Sequence, residues 1–123
     1  MAEKPFPAEI KLHRKSRVLE ITFNDGNRFD LPCELLRVYS PSADVKGHGP
    51  ETAVLQTGKE QVNITLIEPV GNYAVRLSFD DGHATGLYSW SYLYDLGMHR
   101  DRYWMKYLDA LREAGYQRRS ASA

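Results

Sequence analysis

Two stretches of the chain repeat one pattern, and that repeat limits the fold more than any other feature. Leu19-Glu20-Ile21-Thr22-Phe23-Asn24-Asp25-Gly26-Asn27 and Val75-Arg76-Leu77-Ser78-Phe79-Asp80-Asp81-Gly82-His83 each alternate apolar and polar residues into an Asp-Gly turn. The period of two places Leu19, Ile21 and Phe23 on one face, with Val75, Leu77 and Phe79 their counterparts. Asp-Gly between such runs predicts a two-residue type I′ hairpin, with positive φ at both central positions. Each turn leads to a second short strand, one carrying Phe29 and Leu31 and the other Leu87, and then to a helix-like segment. The expectation is an α+β fold of two pseudo-repeated antiparallel β-hairpin units.

The remaining elements are fitted around those units. Ile10 to His13 reads as a short strand after a Pro-punctuated, loose N-terminus. Glu34 to Tyr39 has the length of a short helix, which Ser40-Pro41 ends. From Ser40 to Gln61 the periodicity vanishes, and a connection of that length is functional or mobile. Val62 to Glu68 predicts a further strand, with Val62, Ile64 and Leu66 alternating against Asn63 and Thr65. Ser89 is a candidate N-cap for a helix over Trp90 to Leu96, with Gly97 at a left-handed C′ position. A last helix runs from about His99 to Ala114 and has Trp104, Tyr107, Leu108, Leu111 and Ala114 on one face, predicted to pack on the sheet. The organisation is one domain over residues 1–123, with a core unit at about 10–97 and a C-terminal helix at about 98–115.

Composition narrows the function classes. Sixteen basic and 16 acidic residues balance within 123, so no net field favours nucleic acid or an anionic membrane. Arg118-Arg119 reads as a solvated helix end. A single cysteine, Cys33, excludes an internal disulfide and fits a reducing compartment. The start of the chain lacks the apolar run of a signal peptide, and no stretch of about 18 apolar residues occurs. A cytoplasmic location is the expectation.

No catalytic constellation emerges. Cys33 has no histidine beside it in sequence and reads as a structural thiol. Asp80-Asp81 sits in a turn, where aspartate serves the backbone. Gly47-His48-Gly49-Pro50 lacks the spacing of a phosphate loop. His13 and His99 lie among charges and carry no signal, and His48 lies between glycines of the long loop. His83 is where the second copy departs from the first, which has Asn27 there. An imidazole at a sheet end is a hydrogen-bond post, a proton carrier or one ligand of a metal.

Leu36-Arg37-Val38-Tyr39-Ser40-Pro41-Ser42-Ala43, taken with Glu68-Pro69-Val70-Gly71-Asn72-Tyr73-Ala74-Val75 and Phe79-Asp80-Asp81-Gly82-His83, resembles the N-terminal domain of gamma-butyrobetaine hydroxylase. It looks most like stand-alone bacterial members of that family, long labelled as of unknown function. The resemblance spans roughly Ile10 to Gly97. A related domain is appended to some iron–sulfur cluster carriers. The resemblance implies a structural zinc site of three cysteines and one histidine. Its cysteine positions fall on Ser40, Ser42 and Val45 here, and its histidine on His83. Serine is a poor zinc ligand and valine is none, so the site is expected not to assemble.

Two function classes follow. The first is a non-catalytic binding or scaffold module that docks a partner protein, linked to iron–sulfur or oxygenase chemistry. Its candidate surface is the Ser40–Pro50 loop with Arg37, Tyr39, His48, Tyr88 and Trp90. The second is a metal module in which His83, with His48 or Asp44, binds iron or zinc weakly.

Overall fold

The computed structural model describes residues 4–42, 55–84 and 86–118. Each copy of the repeat is three strands and a helix. In the first, β1 (Pro7–His13), β2 (Val18–Phe23) and β3 (Arg28–Pro32) form an antiparallel sheet in that order and lead into α1 (Cys33–Val38). In the second, β4 (Ile64–Val70), β5 (Ala74–Phe79) and β6 (Gly86–Ser89) do the same and lead into α2 (Trp90–Met98). Helix α3 (Arg100–Glu113) follows. The strand expected at Val62–Glu68 is therefore the first strand of the second copy, starting two residues later than its alternation suggested. The fold is α+β, as the periodicity indicated.

The duplication reaches individual hydrogen bonds. Phe6 N donates to Asn24 Oδ1 at 3.0 Å and Asn24 N to Phe6 O at 2.9 Å. The counterparts are Asn63 N to Asp80 Oδ1 at 3.1 Å and Asp80 N to Asn63 O at 2.9 Å. The N-terminal segment expected to be loose is thus tied down from Phe6 onward, which starts β1 at Pro7. The first backbone N–H of each helix is also held alike, Cys33 N on Arg17 O and Trp90 N on Tyr73 O, both at 2.9 Å.

Both hairpins differ from the expected two-residue turn. Gly26 N donates to Phe23 O, and Gly82 N to Phe79 O. Among the turn residues only Gly26 (φ 90°) and Gly82 (φ 92°) have positive φ. Each loop is therefore three residues long, with a tight turn followed by a left-handed glycine bulge. A type I′ turn would force Asp25 and Asp81 into the left-handed region as well. Instead each aspartate stays at negative φ and uses Oδ1 to accept an amide two residues on, from Asn27 at 2.9 Å and His83 at 3.1 Å.

The inner faces of both sheets and two helices share one core. Leu19, Ile21, Phe23 and Leu31 join Val75, Leu77, Phe79, Leu35, Leu36, Leu93 and Leu96 in a single buried cluster. The counterpart of Leu31 is Tyr88, which pairs with Val75 and is fully buried, whereas Leu87 points outward and is exposed. Adjacent strand residues face opposite sides, so this one-residue difference decides which is core. Helix α3 packs Tyr103 and Trp104 against the margin of that core and buries Tyr107 and Leu111 against Val38 of α1, while Ala114 is exposed.

Helix α2 starts as expected, with Ser89 Oγ accepting from Tyr92 N at 3.1 Å. Its end does not follow the sequence reading. Gly97 lies inside the helix, which continues to Met98. The glycine is required by packing: a Cβ there would sit 2.3 Å from Phe29 Cγ. No helix among the described residues is long and apolar enough to cross a membrane.

Candidate functional site

Of the residues that family resemblance brings together, Ser40, Ser42 and His83 meet at the end of the second sheet. After α1 the chain passes Tyr39 and delivers Ser40, fully buried, against β6. A Cβ on Gly86 would lie 2.5 Å from Ser40 Oγ. That close approach is possible because Gly86, paired with Leu77, stands where the first copy has Phe29, paired with Ile21. The size relation is swapped between the halves: Phe29 meets Gly97 in one, and Gly86 meets Ser40 in the other.

Ser40 Oγ and His83 Nε2 share a hydrogen bond of 2.8 Å, and Ser42 N donates to Ser40 Oγ at 3.3 Å. The His83 backbone is fixed by Asp81, whose Oδ2 is held by Arg37 Nε at 2.8 Å and Lys59 Nζ at 2.7 Å. Burial, the largest single influence on Asp81, pushes its carboxyl up. The hydrogen bond from Lys59, the His83 amide and Arg37 outweigh it, and together hold the carboxyl down at about 2. Arg37 is buried, and its Nη1 has no hydrogen-bond partner among the described residues. This cluster is an ion-paired post that aims and locks an imidazole. Within it Ser40 and Arg37 are covered, while His83 is half-exposed.

The other candidates divide. Tyr88 is fully buried and donates to Leu36 O at 2.5 Å, supporting the site from beneath rather than offering a contact surface. Tyr39 is half-buried; its hydroxyl donates to Tyr103 O at 2.8 Å and its carbonyl accepts from Tyr92 OH at 2.5 Å. His48, with Asp44 and Val45, lies outside the described residues. Cys33 is fully buried, and burial pushes its thiol up to about 11, so it is no thiolate near neutral pH.

Trp90 belongs to a different surface. With Phe6, Ile10, Ile67, Pro69 and Tyr73 it lines an open groove of about 1290 Å³, between the start of β1 and the second sheet. Its Nε1 donates to Asn72 O at 2.7 Å, which fixes the ring in the groove wall. None of Arg37, Tyr39, Ser40 or His83 lines it. The sequence reading missed Phe6, assigned to a loose terminus, and Tyr73, which follows the Pro69–Asn72 turn and was given no role in a binding surface. It also read Arg118 as solvated, whereas Arg118 folds back onto buried Glu34. Lys59 sits in a stretch without periodicity, where no signal marks it.

The zinc set that the resemblance implies does not fit these residues. Ser40 and Ser42 offer hydroxyls rather than thiolates, and the Ser40 hydroxyl is already bonded to the one imidazole. Among the described residues no three His, Cys, Asp or Glu side chains cluster as a metal site would need.

Comparison with known proteins gives a consistent picture. Two proteins solved by NMR in solution share 57% and 46% identity with this chain, at TM-scores of 0.80 and 0.79. The first match covers 95% of this chain and 87% of its own, and the second 95% and 94%. A crystal structure from Acidithiobacillus ferrooxidans, of a protein of unknown function in the DUF971 family, is 41% identical with a TM-score of 0.62. That match covers 74% of this chain and 91% of the other. No curated protein matches. The model of the family described as gamma-butyrobetaine hydroxylase-like, N-terminal, matches residues 10–94. The chain therefore belongs to the gamma-butyrobetaine hydroxylase-like N-terminal domain family.

Proposed function

We propose that this chain is a non-catalytic binding module that docks a partner protein through the groove beside β1. The observation that carries this reading is the groove itself, with Trp90, Tyr73 and Phe6 presented on a folded body. An aromatic side chain fixed by its own hydrogen bond, as Trp90 is, contributes large contact area with little entropy left to lose. Among the described residues strand β1 is an edge of its sheet, paired only with β2, and its first half forms one wall of the groove. Such an edge suits an extended partner segment, whose backbone pairs with β1 while alternate apolar side chains enter the groove. The buried thiol and the locked Ser40–His83 post favour binding over turnover. The family takes its description from a hydroxylase, so the partner belongs to oxygenase or iron–sulfur chemistry, in the reducing cytoplasm that the lone cysteine fits.

The test begins with affinity capture from the native host and then measures the identified partner directly. Trp90→Ala is expected to weaken that partner at least tenfold, or about 1.4 kcal/mol, while circular dichroism and melting stay close to wild type. A segment of the partner should shift the amides of Phe6 and of Ala8 to Ile10 in NMR titration. Undiminished affinity in the folded variant, or shifts confined to another face, would reject this surface.

A further inference from the structure

Glu34 lies in the first turn of α1 and is only 6% exposed. A buried carboxylate is costly unless it is both hydrogen-bonded and charge-paired. The folded body supplies one donor, the Tyr107 hydroxyl from α3, 2.7 Å from Oε2. The cation comes from the chain end. Arg118 donates from Nη2 to Oε1 at 2.5 Å and from Nε to Oε2 at 3.1 Å. That is the two-pronged geometry by which a guanidinium matches a carboxylate, and a lysine cannot reproduce it. The guanidinium carbon lies 5.2 Å from the centre of the Trp104 ring, within cation–π range.

The pieces make a receptor for a guanidinium group: a carboxylate floor, a phenol donor and an indole wall. Its present occupant sits two residues beyond Tyr116, whose N–H donates to Leu111 O at 2.9 Å and whose ring packs against the Val38, Tyr107 and Leu111 cluster. Helix α3 ends at Glu113, and Gly115 at φ 76° turns the chain back. Between there and Arg118 the recorded side-chain anchor is Tyr116, whose hydroxyl donates to Glu60 at 2.9 Å. Arg118 itself remains about a third exposed, at 36%, while the carboxylate it meets is covered.

We propose that the Glu34–Tyr107–Trp104 pocket recognises an arginine side chain presented by a partner protein, with Arg118 as a built-in competitor. A tethered ligand acts at an effective concentration on the order of millimolar. An incoming arginine therefore wins only when its own chain makes further contacts. The pocket shares no residue with the groove beside β1, so it stands or falls independently of that surface.

The Arg118→Ala variant of the full chain empties the pocket. It is titrated with an amidated peptide copying residues 114–118, with the Trp104 indole N–H and the Glu34 amide followed by NMR. Both resonances are expected to shift saturably. A control peptide with glutamine for arginine should have no effect, nor should the arginine peptide on the Glu34→Gln/Arg118→Ala double variant. The wild-type chain should bind the peptide at least tenfold more weakly. A folded Arg118→Ala chain whose resonances do not move overturns the proposal, and so does equal affinity in the wild type. If Arg118→Ala is destabilised but still melts, the arginine peptide must raise its melting temperature where the glutamine peptide does not; no rise is a refutation. Sedimentation equilibrium supplies the last arm: wild-type self-association that the peptide dissolves would give the pocket to a second copy's tail, against a separate partner.

Discussion

Single residues show how one duplicated scaffold came to have unlike halves. Asn27 and His83 occupy the same place after their turns, and both backbone amides are held by the preceding aspartate. Their side chains part company: Asn27 bonds Tyr94 OH at 2.9 Å, and His83 bonds Ser40. Asp81 carries the larger consequence, because Arg37 and Lys59 both converge on it. Its carboxyl titrates at about 2 in the fold, against roughly 3.9 in an unfolded chain. A depressed folded value means stability that is complete above the unfolded value and lost as pH falls toward the folded one. The contribution is on the order of 1 kcal/mol, because Asp81 is an exposed residue whose ion pairs water screens, although Arg37 and Lys59 cover the carboxylate itself. In urea unfolding, wild type should exceed Asp81→Asn by about that amount at pH 6, and the gap should close between pH 4 and pH 2. A gap that ignores pH would mean the carboxylate's charge is not what Arg37 and Lys59 stabilise.

At the scale of elements, each helix clamps the turn of the other copy. Arg37 is the fifth residue of α1 and holds Asp81; Tyr94 is the fifth of α2 and holds Asp25 Oδ2 at 2.5 Å. The clamps are equivalent in place and different in chemistry. Arg37 is buried and ionic, and removing it leaves Asp81 with Lys59 and one amide. Because those two remain, Arg37→Met should cost about 2 kcal/mol, below the usual range for stripping one partner from a buried pair. Tyr94→Phe should lower the melting temperature by clearly less, since its ring keeps its edge-on contacts with Phe23 and Phe29 at 5.0 and 5.5 Å. Equal losses would contradict the burial difference. These clamps also mark what was legible in the sequence. Alternation and Asp-Gly revealed the strands and the repeat, because period and turn chemistry are local. The three-residue loops, the helical Gly97 and the two clamps depend on what the other copy places nearby, and no local pattern encodes that. His83 was legible as an asymmetry, whereas its partner Ser40 became visible through family resemblance and its anchor Lys59 not at all. The groove was legible in part, through Trp90.

At the scale of the whole molecule, duplication and cooperativity pull in opposite directions. Two copies of a strand–strand–strand–helix unit would unfold separately if each had its own core. Here they do not: the inner faces of both sheets belong to one cluster, and α2 packs against β3 of the other copy. Neither sheet can lose its partner without exposing Leu19, Ile21 and Phe23 or Val75, Leu77 and Phe79. Cross-copy links add to this, as where Asn63 Nδ2 donates to Arg14 O at 3.0 Å. We therefore expect one cooperative transition in urea. Native-state hydrogen exchange should give the slowest amides of β2 and β5 the same opening free energy, equal to the global value. Helix α3 meets the body only at the margin of that shared cluster, through Tyr103 and Trp104, and through a smaller one at Val38, so its amides should open at lower free energy. Two resolved transitions, or a β2 that exchanges well before β5, would show that the copies are independent units joined end to end. In that case the Ser40–His83 post, which bridges them, could not be a fixed feature of the surface.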